Sequence, residues 1–226
     1  MPTVLVTGAN RGLGLEFVRQ YAADGWRAHA CCRKPDDAAE LKAVEGDVRI
    51  HALDVGDFES IQALAGELSG EALDVLLSNA GIYGPSQSLG DINYGGWERV
   101  LRVNTLAPVF LTEAFLPHLE KGDGKRVALI TSQMGSIADN GSGGNYAYRS
   151  SKAALNAAGR SLAVDLAPRG IIVLLLHPGW VRTDMGGPNA RIAPPESIAG
   201  MRKGIADATP GDAGRFWRYN GTEIPW

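Results

Sequence analysis

Two kinds of apolar pattern alternate along this chain. Short, mostly apolar runs stand at residues 4–6, 27–32, 48–53, 73–77, 127–131 and 171–176, and a last short run at 215–219. Continuous runs of that length are how strands buried on both faces read. Between them lie longer stretches where apolar positions recur every three or four residues, the period of an amphipathic helix. In 12–24, Leu13, Phe17, Tyr21 and Ala22 share one helical face, and Asp24-Gly25 closes the segment with the glycine that helix ends favour. Further helices are expected at 36–44, 57–69, 97–119, 146–167 and 195–207. Pro108 falls inside the fourth of these six and removes a backbone donor, so a kink or a lost bond is expected there. Residues 79–93 and 133–145 carry the Gly, Pro, Asn and Ser of loops.

Strand followed by helix, repeated, predicts an α/β fold: a doubly wound parallel sheet of about seven strands with helices on both faces, because right-handed crossovers place them there. No linker, repeat or low-complexity segment interrupts the pattern, so a single domain is expected over 1–226. In such sheets ligands bind beyond the carboxyl ends of the strands. Chemistry is therefore sought just after each strand.

Composition narrows the function classes. A formal net charge of -3 on 226 residues makes no field for nucleic acid or an anionic membrane. The two cysteines, Cys31 and Cys32, are adjacent and suit no relaxed disulfide, which points to a reducing compartment and a cytoplasmic location. Met-Pro-Thr runs straight into the first strand, so neither a signal peptide nor a membrane span is expected. The four histidines have no ligand spacing, and no metal is expected. Asn140-Gly-Ser142 and Asn220-Gly-Thr222 fit the glycosylation pattern but read as turn sequence.

After the first strand comes Thr7-Gly8-Ala9-Asn10-Arg11-Gly12-Leu13-Gly14. Glycines there let the backbone turn and approach a phosphate, and the helix that follows offers free N–H groups. Glycines packed for a tight turn are the alternative. The spacing is Gly-xxx-Gly-x-Gly, and it resembles the TGxxxGxG motif of the short-chain dehydrogenase/reductase family. The resemblance continues in the family's order: Asn79-Ala80-Gly81 after the fourth strand, Asn104, Ser132 after the fifth, Tyr148 and Lys152, then Pro178-Gly179 and Thr183 after the sixth. The compact length, Asn10-Arg11-Gly12-Leu13-Gly14 and the Ile224-Pro225-Trp226 end resemble the branch holding C-factor and sniffer-type carbonyl reductases.

The resemblance implies a Rossmann-like fold, a nicotinamide cofactor and hydride transfer to or from a small carbonyl or alcohol substrate. An NAD site places Asp or Glu after the second strand to bond the ribose hydroxyl. Here that strand ends Cys31-Cys32-Arg33-Lys34, so Arg33, with Arg11 as a second clamp, would meet a 2′-phosphate and the cofactor implied is NADP(H). A solvated strand end is the other reading of Arg33. Asp54-Val55 resembles the adenine contact, or else Asp54 caps the next turn. Gly8, Asn10, Arg11, Gly12, Leu13, Gly14, Asn79, Ala80, Gly81, Pro178, Gly179 and Val181 would line the cofactor cleft, with Thr183 on the carboxamide and Lys152 on the ribose.

Tyr148 and Lys152 are four apart and share a helix face. A free tyrosine, with a pKa of about 10, is a poor base at neutral pH, and a nearby ammonium is expected to lower that value. Tyr146, six from Lys152, would face elsewhere. The resemblance gives Tyr148 the proton transfer, Ser132 the substrate oxygen and Asn104 a water linking Lys152 to solvent. Ser136 and Ser142 are alternative serines, and Asn104 would otherwise satisfy a helix irregularity near Pro108. Met185, Pro188 and Ile192, with Trp180 and Tyr83, are expected as an apolar substrate wall. Homodimers or homotetramers paired through 97–119 and 146–167 are implied, or the small alanines of the second helix pack within one copy. A second reading keeps the fold but not the catalysis: a dinucleotide-binding signalling protein with incidental turnover.

Overall fold

The computed structural model describes residues 1–85 and 88–226. Seven strands form one sheet: β1 (Thr3–Thr7), β2 (Arg27–Cys32), β3 (Val48–Ala52), β4 (Val75–Ser78), β5 (Arg126–Ile130), β6 (Ile172–His177) and β7 (Phe216–Arg218). Their order is β3-β2-β1-β4-β5-β6-β7, and every pairing is parallel. The strand order reverses between β1 and β4, which opens a crevice beyond their carboxyl ends.

Alternation along the strands splits the core in two. Val4 and Val6 of β1 and Leu174 and Leu176 of β6 face α1 (Gly12–Ala23), while Leu5, Val173 and Leu175 point to the other side. The first layer is completed by the last helix, which packs against Phe17 and Tyr21 of α1 through Ile198, Met201 and Ile205. On the second face lie Ile61 and Leu64 of α3 (Phe58–Glu67), Leu111 and Phe115, and Leu155. The predicted helix at 36–44 shrinks to a 3₁₀ turn and the four residues of α2 (Ala39–Lys42), with Ala38 and Leu41 buried.

The helix expected at 97–119 is not continuous. It starts earlier, as α4 (Tyr94–Leu101), where the Asn93 side chain accepts from the Gly96 N–H at 2.8 Å. It then widens into a π turn at Arg102–Leu106, re-forms as α5 (Ala107–Ala114) and breaks again before α6 (Leu116–Lys121). Pro108 supplies the reason for the first break. Without an N–H it cannot bond the carbonyl of Asn104, and the ladder instead closes one residue longer, from the Ala107 N–H to the Arg102 carbonyl. The long α7 (Tyr146–Leu166) lies close on the sheet at Gly159, where a Cβ would stand 2.5 Å from Leu175. The chain then runs through β6 to α8 (Pro194–Asp207), the helix that packs on α1, and so to β7. Among the described residues no helix is long and apolar enough to cross a membrane, and none group as a metal site.

Of the buried imidazoles, His29, His118 and His177, the first and last carry the large shifts that set the acid behaviour. Burial, with His51 alongside, pushes His29 down to about 4, and burial with Arg218 alongside does the same for His177. Both are neutral in the fold, so below about pH 6.5 the unfolded chain takes up protons that the fold refuses. Stability is therefore lost as pH falls from about 6.5 toward 4, by roughly 3 kcal/mol per group at most. Urea unfolding at pH 6.5 and 4.5 should show a smaller acid loss in His29→Gln than in the parent. An equal loss in both would remove His29 from the account.

Candidate active site

The glycine loop is held by polar locks at the ends of β1 and β4. Thr7, buried at the end of β1, accepts through Oγ1 from the N–H groups of Asn79 and Ala80, both at 3.0 Å. The Asn79 amide returns a bond to the Thr7 carbonyl at 2.9 Å. Gly8 and Gly12 have φ of +66° and +54°, conformations that a side chain resists. Gly14 has no room for one: a Cβ there would lie 2.1 Å from the Gly8 carbonyl oxygen and 2.7 Å from Asn79 Nδ2. No side chain caps α1 and its first turn holds no acid, so its N–H groups face the crevice uncompensated. This is a cradle that glycine alone leaves open to a phosphate.

Around it the other predicted residues gather at one edge of the sheet. Arg33 follows β2, exposed and without a hydrogen bond or ion pair among the described residues. Arg11 differs from expectation: it is paired with Asp184, 2.5 Å away and itself beyond β6, so the glycine loop and the segment after β6 are clasped together. Asp54 makes the turn bond foreseen as its alternative role, accepting from the Gly56 N–H at 2.9 Å, with Val55 packed against the core beside it. Pro178, Gly179 and Val181 follow β6. Thr183 Oγ1 accepts from the Gly186 N–H at 3.2 Å, and its methyl group faces Gly12. A cavity of about 400 Å³ opens here, lined by Arg182, Thr183, Asp184, Gly187 and Pro188.

Ser132, Tyr148 and Lys152 come together beyond β5 and on α7. Ser132 starts a single 3₁₀ turn (Gln133–Gly135), its Oγ accepting from the Met134 N–H at 3.1 Å, and it lies near enough to the Tyr148 hydroxyl to favour the ionised phenol. The Tyr148 ring stacks on Tyr83 with centroids 4.6 Å apart. Lys152 is buried, donates from Nζ to the Ile130 carbonyl at 2.9 Å and lies 5.8 Å from the centre of the Tyr148 ring. The expected lowering of the tyrosine is not what this arrangement gives. Burial pushes Tyr148 up to about 12, the nearby Ser132 hydroxyl offsetting only part of this. Burial also brings Lys152 down to about 8. The phenol thus holds its proton at neutral pH.

Asn104, wholly buried in the π turn, has both of its amide N–H groups engaged. Its Oδ1 accepts from the Ile82 N–H at 2.9 Å, and its Nδ2 donates to the Ile82 carbonyl at 2.8 Å and to Ser151 Oγ at 3.0 Å. Those bonds fasten the chain after Gly81 to α7, and they leave the amide no N–H for a water. Tyr146 faces away, its ring 6.2 Å from Trp97. Ser142 accepts from Arg149, and Ser136 donates to the Trp226 main-chain oxygen, so neither competes with Ser132. Sequence reasoning missed Asn156, whose Oδ1 accepts from Thr131 at 2.7 Å and so ties the end of β5 to α7. Its signal was present: 148, 152 and 156 recur at four-residue spacing on one face.

An all-parallel sheet in this order, with a glycine loop at its first βα turn, is the architecture of a dinucleotide-binding α/β protein. The family model described as short chain dehydrogenase matches residues 2–191. The C-signal protein of Myxococcus xanthus is 49% identical over 166 residues, 74% of this chain and 100% of that one. Among solved structures, carbonyl reductase Sniffer of D. melanogaster has a TM-score of 0.94 at 35% identity, with 100% of both chains covered. The NADPH-bound carbonyl reductase from chicken fatty liver has a TM-score of 0.92 at 34% identity, covering 100% of this chain and 99% of the other. The chain belongs to the short-chain dehydrogenase/reductase family of oxidoreductases, in the branch of the C-factor and sniffer-type carbonyl reductases.

Proposed function

We propose that the protein is an NADP(H)-dependent carbonyl reductase acting on a small-molecule carbonyl, with Ser132, Tyr148 and Lys152 as its catalytic residues. The observation that carries the reading is the convergence of Ser132, Tyr148 and the buried Lys152, whose Nζ lies 5.8 Å from the centre of the Tyr148 ring. NADPH, when bound, supplies the hydride. Ser132 Oγ holds the carbonyl oxygen of the substrate, and Tyr148 Oη delivers a proton to that oxygen. Lys152, buried one helical turn from Tyr148, would bond the nicotinamide ribose. Asn104 is a positioning residue that holds the Gly81–Ile82 backbone against α7.

The cofactor fits the residues present. Gly8, Asn10, Arg11, Gly12, Leu13 and Gly14 would hold the pyrophosphate, and Arg33, unpartnered and with no acid beside it, would take the 2′-phosphate. Asp54 and Val55 would meet the adenine. Asn79, Ala80, Gly81, Pro178, Gly179, Val181, Thr183, Tyr148 and Lys152 would line the nicotinamide half. The NADPH in the chicken reductase structure supports the choice. Arg33→Ala should weaken NADPH binding by about 10–100-fold, the range of one charge-assisted bond, and leave NADH within twofold. Fluorescence titration with both nucleotides tests this: tighter NADH than NADPH binding with little effect of Arg33→Ala would point to an NAD enzyme, and equal weakening of the two to a displaced loop.

A second reading draws on the C-signal likeness: a nucleotide-binding signalling protein whose turnover is incidental. NADPH oxidation against a panel of aldehydes, ketones and quinones separates the two. Tight NADPH binding with no turnover on any of them would favour the signalling protein. We also propose pairing of copies through residues 97–119, the stretch from α4 to α6, and α7, to be tested by sedimentation.

A further inference from the structure

The last residues of the chain fold back onto β7. Trp217 and Glu223 form an antiparallel bridge, the Ile224 N–H donates to the Phe216 carbonyl at 2.8 Å, and Ile224 is buried. The Trp226 ring stacks on Phe216 with centroids 5.7 Å apart. Its main-chain oxygen then gathers three donors from a distant part of the chain: the N–H groups of Ile137 and Ala138, at 2.6 and 3.0 Å, and the Ser136 hydroxyl at 3.1 Å. Alongside, Arg218 donates to Gln133 Oε1 at 2.7 Å, and Gln133 in turn bonds Asp139.

All of these partners lie on the short loop that Ser132 begins. That loop has one 3₁₀ turn of its own, and a helix so short has little stability by itself. It is pressed from the other side onto α7, where a Cβ on Gly135 would stand 2.7 Å from the Lys152 backbone. The loop is therefore held between the helix bearing Tyr148 and Lys152 and the strand-and-tail unit of β7.

We propose that Arg218 and Trp226 are positioning residues for Ser132: they brace its loop so that Oγ stays in register with the Tyr148 hydroxyl. The inference rests on the reductase reading for its kinetic consequence, but not for the brace itself. A displacement of about 1 Å at a reacting group can cost about 10²-fold in rate, so loosening the loop should act on turnover and not on nucleotide affinity.

The test uses the full chain with Trp226→Ala, Arg218→Ala and the conservative Arg218→Lys. Hydrogen exchange without nucleotide should quicken at least tenfold at residues 133–139 in the two alanine variants, with the sheet core unchanged and Arg218→Lys near the parent. With NADPH and a carbonyl, kcat should fall about 10–100-fold in the alanine variants, while NADPH Kd stays within twofold. Unchanged loop exchange, or equal quickening throughout the protein, overturns the brace. A loosened loop with unchanged kcat overturns the positioning role. If the parent reduces no carbonyl, the reductase reading falls, and the exchange result alone decides on the brace.

Discussion

Tyr148→Phe should lower kcat for carbonyl reduction by about 10²–10⁴-fold, the usual contribution of a positioned proton donor, and leave NADPH affinity within twofold. The substitution removes one oxygen and keeps the ring, so the stack on Tyr83 and the burial of Lys152 are preserved. What is lost is the one proton placed beside Ser132. Because burial holds that proton well above neutral pH, the parent should reduce readily near pH 7, while alcohol oxidation, which needs the phenolate, should improve as pH rises. Stopped-flow and steady-state rates with NADPH would show the loss. A variant keeping more than a tenth of the parent kcat would remove Tyr148 from the chemistry.

Gly14→Ala should be the most damaging single methyl group in the cradle. Its Cβ would meet the Gly8 carbonyl oxygen at 2.1 Å, a backbone atom of the loop proposed to hold a phosphate. Overpacking of this kind costs about 1–3 kcal/mol and moves backbone, which lowers Tm by roughly 2–12 °C in a chain of this size. NADPH affinity should fall more than tenfold through the displaced loop. Gly66→Ala is the control: on the exposed face of α3 with nothing within 4 Å, it should leave Tm unchanged or raise it. Calorimetry and a nucleotide titration on both variants decide the matter, and a Gly14→Ala protein that binds like the parent would mean that the loop has slack.

Much of the architecture was legible because a parallel sheet writes itself as apolar runs. β2 occupies the predicted residues, and the remaining strands shift by one or two at their ends. Pro108 announced a disturbance, but not that the helix would absorb it as a π turn and use it to bury Asn104. The residues proposed to react were picked out by motif order, whereas their surroundings were not. Spacing shows that Tyr148 and Lys152 share a face, but only the packed structure shows the ammonium turned toward Ile130 and the phenol desolvated. The Arg11–Asp184 pair and the brace from Trp226 join residues far apart in sequence, and local pattern carries no record of such meetings.

The Thr7 lock has a kinetic consequence. It joins residues 72 and 73 positions apart, and β1 is central, waiting for β4 on one side while β2 forms early on the other. Contacts of such separation are entropically late. The phosphate cradle thus comes into being only once the fourth strand docks, after much of the chain has been made. A nucleotide present during folding finds nothing to grip until then, and protects the finished molecule by slowing its unfolding rather than by hastening its assembly.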